Sequence, residues 1–258
     1  MTQPTLDTVL GRYPRLAIAV SGGVDSMTLA HAAHLLGIAE LVVVHAISPA
    51  VPSHATERVR AHAARNGWKL RLVDAGEFDD PAYRANPVNR CYFCKTNLYG
   101  RISQVTTAPI ASGANLDDLL DYRPGLQAAA EHAVVHPYIV AGMDKQAVRR
   151  LARQFGLDDL SELPAAPCLS SRVETGLAIE AEDLAFIDAM ERRLFPKVPR
   201  GADLRCRITH TGVVIEASDT EHAEELIATA RNLCAEQGRI FAGLRRYRRG
   251  SAFLHTGR

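Results

Sequence analysis

Chemistry is most directly suggested by the segment Ser21-Gly22-Gly23-Val24-Asp25-Ser26. It follows an apolar run at 16–20, which is typical of a buried strand, and it leads into helical spacing at 26–36. The first turn of a helix leaves backbone N–H groups unpaired and carries a partial positive charge, so it attracts anions. Gly22 and Gly23 let the backbone approach phosphate oxygens, and Ser21 and Ser26 add hydroxyl donors. The segment therefore predicts a phosphate-binding loop.

This loop contains no lysine. Because no Gly-Lys-Ser/Thr follows, it is not a Walker loop, and because Gly-x-Gly-x-x-Gly is absent, it is not a dinucleotide fingerprint. A Walker lysine reaches the β- and γ-phosphates and serves cleavage at the γ position. A loop that holds only pyrophosphate suits attack at the α-phosphate, which leaves AMP on the substrate. Asp25 is acidic, so we expect it to position Mg²⁺ or to anchor the loop.

Three cysteines form the second chemical feature. Cys91 and Cys94 are spaced i and i+3, which places them on one face of a helix, and Cys168 follows much later. Three thiolates suit a [4Fe–4S] cluster with one open iron, or zinc with an open position. A thiol or persulfide mechanism needs no metal, so these alternatives stay open on the residues alone. Cys206 and Cys234 are predicted to be buried and inert.

The elements that must position these residues alternate between strand and helix over the first two-thirds of the chain. This order predicts an open, doubly wound α/β fold with a parallel sheet. The strands are predicted at 16–20, 41–45, 68–73 and 109–112, and the helices at 26–36, 53–67, 89–104, 126–132 and 144–155.

A change of pattern follows the two prolines of segment 164–168. Beyond it, helices are predicted near 181–194 and 221–237, and strands near 204–209, 213–217 and 240–244. These elements predict a smaller C-terminal α+β domain. The boundary is therefore placed between domains 1–167 and 168–258.

Composition restricts the class of protein. The 258 residues carry 30 Lys and Arg against 29 Asp and Glu, a net charge of +1, so no broad basic surplus indicates a nucleic-acid partner. Five cysteines, an odd number, argue against a secreted disulfide framework and favour the cytoplasm. No apolar stretch approaches the roughly 20 residues of a membrane span. We expect a homo-oligomer that acts on a small molecule.

In its strand–loop–helix context, SGGVDS resembles the PP-loop ATP pyrophosphatase superfamily, which implies an adenine nucleotide alpha hydrolase-like fold with adenine near 44–46. Further blocks resemble the LarE-type sulfur transferases and bring the resemblance to about residues 16–172. These blocks are Asn89-Arg90-Cys91-Tyr92-Phe93-Cys94-Lys95, Ser112-Gly113-Ala114-Asn115 with Asp117-Asp118 and Asp121-Tyr122-Arg123-Pro124-Gly125, and Pro164-Ala165-Ala166-Pro167-Cys168-Leu169-Ser170-Ser171-Arg172. After Arg172 the family commonly has a Pro-Tyr-Gly-like turn, which this sequence lacks.

The resemblance implies an activity. ATP would adenylate a carboxylate of pyridinium-3,5-biscarboxylate mononucleotide and release pyrophosphate. Sulfur would then replace the AMP-activated oxygen, a step in making the nickel-pincer nucleotide. In one branch of the family the cysteine matching Cys168 gives up its own sulfur and becomes dehydroalanine. In another branch three cysteines bind [4Fe–4S], and the presence of Cys91, Cys94 and Cys168 places this sequence in that cluster branch.

The resemblance also implies site residues. Ser21, Gly22, Gly23 and Ser26 would hold the phosphates of ATP, with Asp25 positioning Mg²⁺. Arg172 would pair with phosphate or carboxylate near the catalytic Cys168. Further nucleotide-binding residues would be Asn115, Asp121 and Arg123. Arg205, Arg207, Glu216 and the run 245–249 are left open between substrate binding and strand-surface charge.

Two other interpretations are retained. A tRNA thiolase of the PP-loop type also combines such a loop with scattered cysteines, and the arginine run 245–249 fits it, although the near-zero net charge does not. A non-enzymatic adenine-nucleotide-binding protein would bind ATP and release no pyrophosphate.

Overall fold

The computed structural model describes residues 3–120, 123–164, 167–199 and 201–248. The chain divides into two compact units. The first comprises residues 1–80 and 89–166, and the second comprises residues 81–88 and 167–258. Within the described ranges, no helix is long and apolar enough to cross a lipid bilayer.

The first unit contains a parallel sheet of four strands, which confirms the predicted α/β class. The strands lie in the order β3-β2-β1-β4, with β1 paired in parallel to both β2 and β4. Strands β2 and β3 are therefore added in turn on one side of β1, and β4 pairs with the other side of β1. The strands are β1 (Arg15–Val20), β2 (Glu40–Ala46), β3 (Leu70–Val73) and β4 (Ile110–Ala111).

Helices cover both faces of this sheet. Leu16 and Ile18 of β1 pack in one buried cluster with α2 and α8, whereas Ala17 packs in a second cluster with α5. Because successive side chains of a strand point to opposite faces, a strand buried on both faces reads as a continuous apolar run. The helices of the first unit are α1 (Leu6–Leu10), α2 (Val24–Leu35), α3 (Ser53–Asn66), α5 (Arg90–Val105), α6 (Pro124–Glu131), α7 (Pro137–Val140), α8 (Lys145–Gln154) and α9 (Asp158–Ser161).

The second unit contains a mixed sheet of three strands with helices, which confirms the predicted smaller α+β part. β6 pairs antiparallel with β5 and in parallel with β7. Its elements are α4 (Pro81–Arg84), α10 (Ala181–Leu194), β5 (Leu204–Thr209), β6 (Gly212–Ala217), α11 (Ala223–Glu236) and β7 (Phe241–Arg246).

Residues 81–88 contain helix α4 and are hydrogen-bonded into the second unit. The Tyr83 hydroxyl lies 2.6 Å from Ser170 Oγ, and Asn86 Nδ2 donates to the carbonyl of Glu174 at 2.9 Å. The backbone N–H of Ile179 donates to the carbonyl of Arg84 at 2.8 Å. Proline is tolerated in the first helical turn, so Pro81 does not prevent helix α4.

Candidate functional site

The segment from Ser21 to Ser26 lies between the end of β1 and the first turn of α2, as the sequence predicts. The Ser21 N–H donates to Ser26 Oγ at 3.1 Å, and the Gly23 N–H is 3.4 Å from Ser21 Oγ. Gly23 is the N-cap of α2 and offers no side-chain cap, so the first N–H groups of this helix remain available to an anion. The two serine hydroxyls are thus hydrogen-bonded within the loop, and its binding of phosphate stays a prediction.

The chain after β4 closes against this loop. A Cβ atom on Gly113 would lie only 2.7 Å from the backbone nitrogen of Ser26, so the two backbones approach more closely than a side chain permits. Strand order reverses between β1 and β4. In parallel α/β sheets, ligands bind outside the carboxyl ends of the strands at such a reversal. The segments after β1 and β4 therefore lie where ligands bind in folds of this kind.

Asp25 is contacted by residues from three later segments of the chain. Its carboxylate pairs with the ammonium of Lys145, and Asn115 Nδ2 approaches its second oxygen at 3.4 Å. The Tyr138 hydroxyl donates to the Asp25 carbonyl at 3.0 Å. The side chains of Asp25 and Lys145 are 26% and 32% exposed, so a ligand can reach both. Asp25 thus anchors the loop, and its charge is balanced by a lysine from another helix.

Asn115 belongs to a hydrogen-bonded turn. Its side-chain oxygen accepts the Asp117 N–H at 3.1 Å, and its own N–H donates to Asp118 Oδ2 at 3.1 Å. Arg123 pairs with Asp118 at 3.2 Å. The structure therefore brings Asn115 to the loop and connects Arg123 to the same turn. Asp121, predicted to bind nucleotide, lies outside the described residues.

Arg58 and His45 support the loop from the other side. Arg58, on α3, donates to the Gly22 carbonyl at 2.8 Å. His45 Nδ1 donates to the Val20 carbonyl at 2.9 Å, and its Nε2 lies 2.9 Å from Thr56 Oγ1. A carbonyl can only accept, which fixes the proton on Nδ1. Both ring nitrogens of His45 are therefore already in contact with protein groups. The adenine position near 44–46 stays a prediction.

The three predicted cluster ligands are divided between the units. Cys91 and Cys94 lie on α5 of the first unit, and Cys168 lies in the second. Among the residues that the structure describes, no group of three or more His, Cys, Asp or Glu side chains is placed to hold a metal ion. The residues present therefore give no support to a [4Fe–4S] cluster.

Cys168 stands directly before a 3₁₀ helix, Leu169–Arg172, and is half-buried. Arg172 forms a buried bidentate pair with Glu191, both contacts being 3.0 Å. The same guanidinium donates to the carbonyls of Pro167 and Cys168. In this arrangement Arg172 fixes the backbone that carries Cys168. Its binding of phosphate or carboxylate stays a prediction.

Arg205, Arg207 and Glu216 of the second sheet are buried rather than exposed on the strand surface, whereas Arg245 of β7 is 49% exposed. Arg207 pairs with Glu216 at 2.8 Å, and Arg245, from the predicted arginine run, pairs with the other oxygen of Glu216 at 2.8 Å. Arg205 pairs with Asp203 at 3.3 Å, and burial lowers the pKa of its guanidinium. Arg249, at the end of the run, lies outside the described residues.

Sequence reasoning missed Lys145, Tyr138 and Arg58. A signal for Lys145 was present: it follows the helix cap Asp144 and so places a cation at the positive end of α8. That position normally favours acidic residues. Arg58 lies in a predicted helix and Tyr138 in an apolar stretch between two predicted helices, and only the tertiary structure brings them to the loop.

We expect Gly22→Ala to be far more damaging than Gly37→Ala. Both glycines have positive φ angles, 79° and 75°, but a Cβ on Gly22 would lie 2.8 Å from the Ala55 carbonyl oxygen, whereas Gly37 has nothing within 4 Å. Strain alone costs about 1–2 kcal/mol, and the clash adds about 1–3 kcal/mol. Urea unfolding should show this difference, and ATP titration should show weakened binding for Gly22→Ala only. Equal effects of the two substitutions would contradict the close packing of the loop.

We expect acid to destabilise the protein partly through His45. Burial, with a smaller effect of Arg60, lowers the pKa of His45 below its ordinary 6.5. The unfolded state then binds the proton more readily, so this stability is complete above pH 6.5 and declines as pH falls below it. His45→Gln should reduce the pH slope of the unfolding free energy by up to about 1.4 kcal/mol per unit. The exposed His210→Gln serves as control; the same slope for His45→Gln as for the unmodified protein would contradict this.

The fold and the loop define an α/β protein of the nucleotide-binding kind. The uncharacterized protein slr1717 of Synechocystis is 38% identical over 185 residues, which cover 70% of this chain and 69% of that protein. The chain belongs to the same family as slr1717. No family model matches the chain.

Two more distant relatives extend this similarity. A pyridinium-3,5-bisthiocarboxylic acid mononucleotide synthase of Lactiplantibacillus plantarum is 28% identical over 203 residues, covering 75% of this chain and 73% of that enzyme. The uncharacterized protein MJ0830 of Methanocaldococcus jannaschii is 26% identical over 209 residues, covering 80% of this chain and 78% of that protein. The chain is thus distantly similar to a LarE sulfur transferase.

Proposed function

We propose that this protein is an ATP-dependent sulfur transferase that converts a carboxylate of pyridinium-3,5-biscarboxylic acid mononucleotide into a thiocarboxylate. The observation that carries the proposal is the loop Ser21–Ser26 at the reversal of strand order, with Asp25 anchored in it. The distant similarity to a pyridinium-3,5-bisthiocarboxylic acid mononucleotide synthase supports the substrate class.

The first step is activation of the substrate by ATP. A carboxylate oxygen of the substrate attacks the α-phosphorus, the bond to the β-phosphate oxygen breaks, and pyrophosphate leaves. The N–H groups of the first turn of α2, with Ser21 and Ser26, bind the departing pyrophosphate. Mg²⁺ enters with ATP, and because phosphates and water supply most of its ligands, the Asp25 carboxylate suffices as a protein ligand.

The second step delivers sulfur through Cys168. Its thiolate attacks the acyl adenylate, AMP leaves, and a thioester joins the substrate to the protein. Loss of the Cys168 Hα proton then breaks the Cβ–Sγ bond, which releases the thiocarboxylate and leaves dehydroalanine. Arg172 acts here as a positioning residue, because it holds the carbonyls of Pro167 and Cys168.

Delivery from a [4Fe–4S] cluster on Cys91, Cys94 and Cys168 is the other route to sulfur. The described residues give this route no support, because no group of His, Cys, Asp or Glu side chains among them is placed to hold a metal. The routes differ in a measurable way. An anaerobically purified protein with about four irons per chain would favour the cluster, whereas a mass decrease of one H₂S at Cys168 after turnover would favour the cysteine as donor.

The experiment that tests the function supplies ATP, Mg²⁺ and the biscarboxylate mononucleotide. We expect pyrophosphate and AMP to be formed in equal amounts, and a product in which sulfur replaces carboxylate oxygen. ATP binding without pyrophosphate release in the presence of the substrate would instead support the non-enzymatic alternative. Sulfur incorporation into tRNA, and none into the mononucleotide, would support the tRNA thiolase.

A further inference from the structure

The phosphate-binding loop contains no lysine, yet a lysine lies against it. The Lys145 ammonium pairs with Asp25 Oδ2, although the two residues are 120 positions apart in the chain. Lys145 is the first residue of α8, and its backbone N–H donates to Asp117 Oδ2 at 3.3 Å. This second contact fixes the start of α8 to the turn that also carries Asn115.

The position of Lys145 in its helix is electrostatically unfavourable. The amino end of a helix carries partial positive charge, and a lysine there is repelled rather than attracted. Asp144 already caps α8 by accepting the Ala147 N–H at 2.7 Å, so the helix start does not need Lys145. The ion pair with Asp25 compensates the repulsion between the Lys145 ammonium and the amino end of the helix.

The Asp25–Lys145 pair is only partly buried, with side chains 26% and 32% exposed. A partly exposed pair of this kind contributes little to folding. Its ammonium is therefore available to a stronger acceptor. A polyphosphate oxygen at the adjacent loop is such an acceptor, because it carries more charge than a single carboxylate.

We propose that Lys145 is the phosphate-binding lysine of this site: it is held by Asp25 when the site is empty and contacts the β- and γ-phosphates when ATP binds. The proposal rests on the proposed function, because it assigns the residue that recognises ATP there. The exchange moves no proton, and Lys145 remains an ammonium. Asp25 then becomes available to the Mg²⁺ that enters with ATP.

This exchange also explains how an acidic residue is tolerated beside an anion site. Lys145 neutralises Asp25, so the first turn of α2 is not blocked by an uncompensated carboxylate. Arg58, bonded to the Gly22 carbonyl at 2.8 Å, adds a second cation near the loop. During activation, negative charge grows on pyrophosphate, and a lysine already in place stabilises it without reorganisation.

The test compares ATP with AMP, which has no β- or γ-phosphate. With Mg²⁺ present, Lys145→Ala should weaken ATP binding by about 10- to 100-fold in isothermal titration, and AMP binding should be nearly unchanged. Lys145→Arg, which keeps the charge, should recover most of the ATP affinity. Lys69→Ala is the matched control, since Lys69 is exposed and precedes β3 at the opposite edge of the same sheet.

A second comparison separates direct contact from charge balance. In an Asp25→Asn protein the ammonium has no carboxylate to neutralise, so an effect of Lys145→Ala on ATP affinity that persists there supports contact with phosphate. An effect that vanishes in the Asp25→Asn protein overturns the proposal, as does equal weakening of ATP and AMP. An unmodified protein that binds no ATP overturns the proposal and the proposed function together. Lys145-dependent ATP binding without thiocarboxylate formation leaves the proposal intact and rejects the proposed function.

Discussion

Cys168→Ala should abolish sulfur transfer while pyrophosphate release continues. The expected loss of thiocarboxylate is more than about 100-fold, because alanine offers no nucleophile to the acyl adenylate. Pyrophosphate formation should stay near that of the unmodified protein, since the loop Ser21–Ser26 belongs to the first unit and Cys168 to the second. Product mass and pyrophosphate are measured in the same reaction.

The matched control for this substitution is Cys234→Ala. Cys234 is 1% exposed, and burial raises the pKa of its thiol, so it stays protonated and is a poor nucleophile. Sulfur transfer by Cys234→Ala should therefore match the unmodified protein. Undiminished thiocarboxylate from Cys168→Ala would reject Cys168 as donor. If Cys91→Ala, Cys94→Ala and Cys168→Ala each lost both iron and sulfur transfer, the sulfur donor would be a cluster on these cysteines and not Cys168 itself.

Glu191→Gln should cause the largest loss of stability. The Glu191 and Arg172 side chains are 5% and 4% exposed, and Glu191 Oε1 also accepts the Cys206 N–H at 3.0 Å. Glutamine keeps the shape but leaves the buried guanidinium without a counter-charge. Breaking such a pair costs about 3–5 kcal/mol, which urea unfolding monitored in the second unit should show.

Glu180→Gln provides a comparison with an Arg–Glu pair at the surface. Glu180 receives both of its contacts from Arg84 Nη2, at 2.8 and 2.6 Å, but the two side chains are 49% and 45% exposed. An exposed pair contributes less than about 1 kcal/mol. If Glu191→Gln were as mild as Glu180→Gln, the role of the Arg172–Glu191 pair in holding Cys168 would be wrong.

The sequence predicted those features that depend on neighbouring residues. The apolar run before Gly22 and Gly23 and the helix after it fix the loop locally, so the loop and the parallel sheet could be predicted. Lys145 could not be assigned to the site, because its contact with Asp25 depends on the path of the chain through β4 and α7. Strand β4 itself is only two residues long, which gives almost no periodic signal.

The ligand set of three cysteines stays a prediction. Their spacing grouped Cys91, Cys94 and Cys168 as one ligand set, but spacing contains no information on which compact unit holds each thiol. The burial of Arg205, Arg207 and Glu216 could not be predicted from the sequence either. Alternation along a strand predicts which residues share a face, and burial is decided by what packs on that face, here leaving Glu216 fully buried.

The return of residues 81–88 to the second unit matters for dissecting this protein. The chain passes between the units three times, at 80–81, 88–89 and 166–167. A fragment beginning at Pro167 would lack the partners of Ser170 Oγ, the Glu174 carbonyl and the Ile179 N–H. Expression of the second unit by itself should therefore succeed only when a peptide spanning 81–88 is supplied or is fused to the fragment.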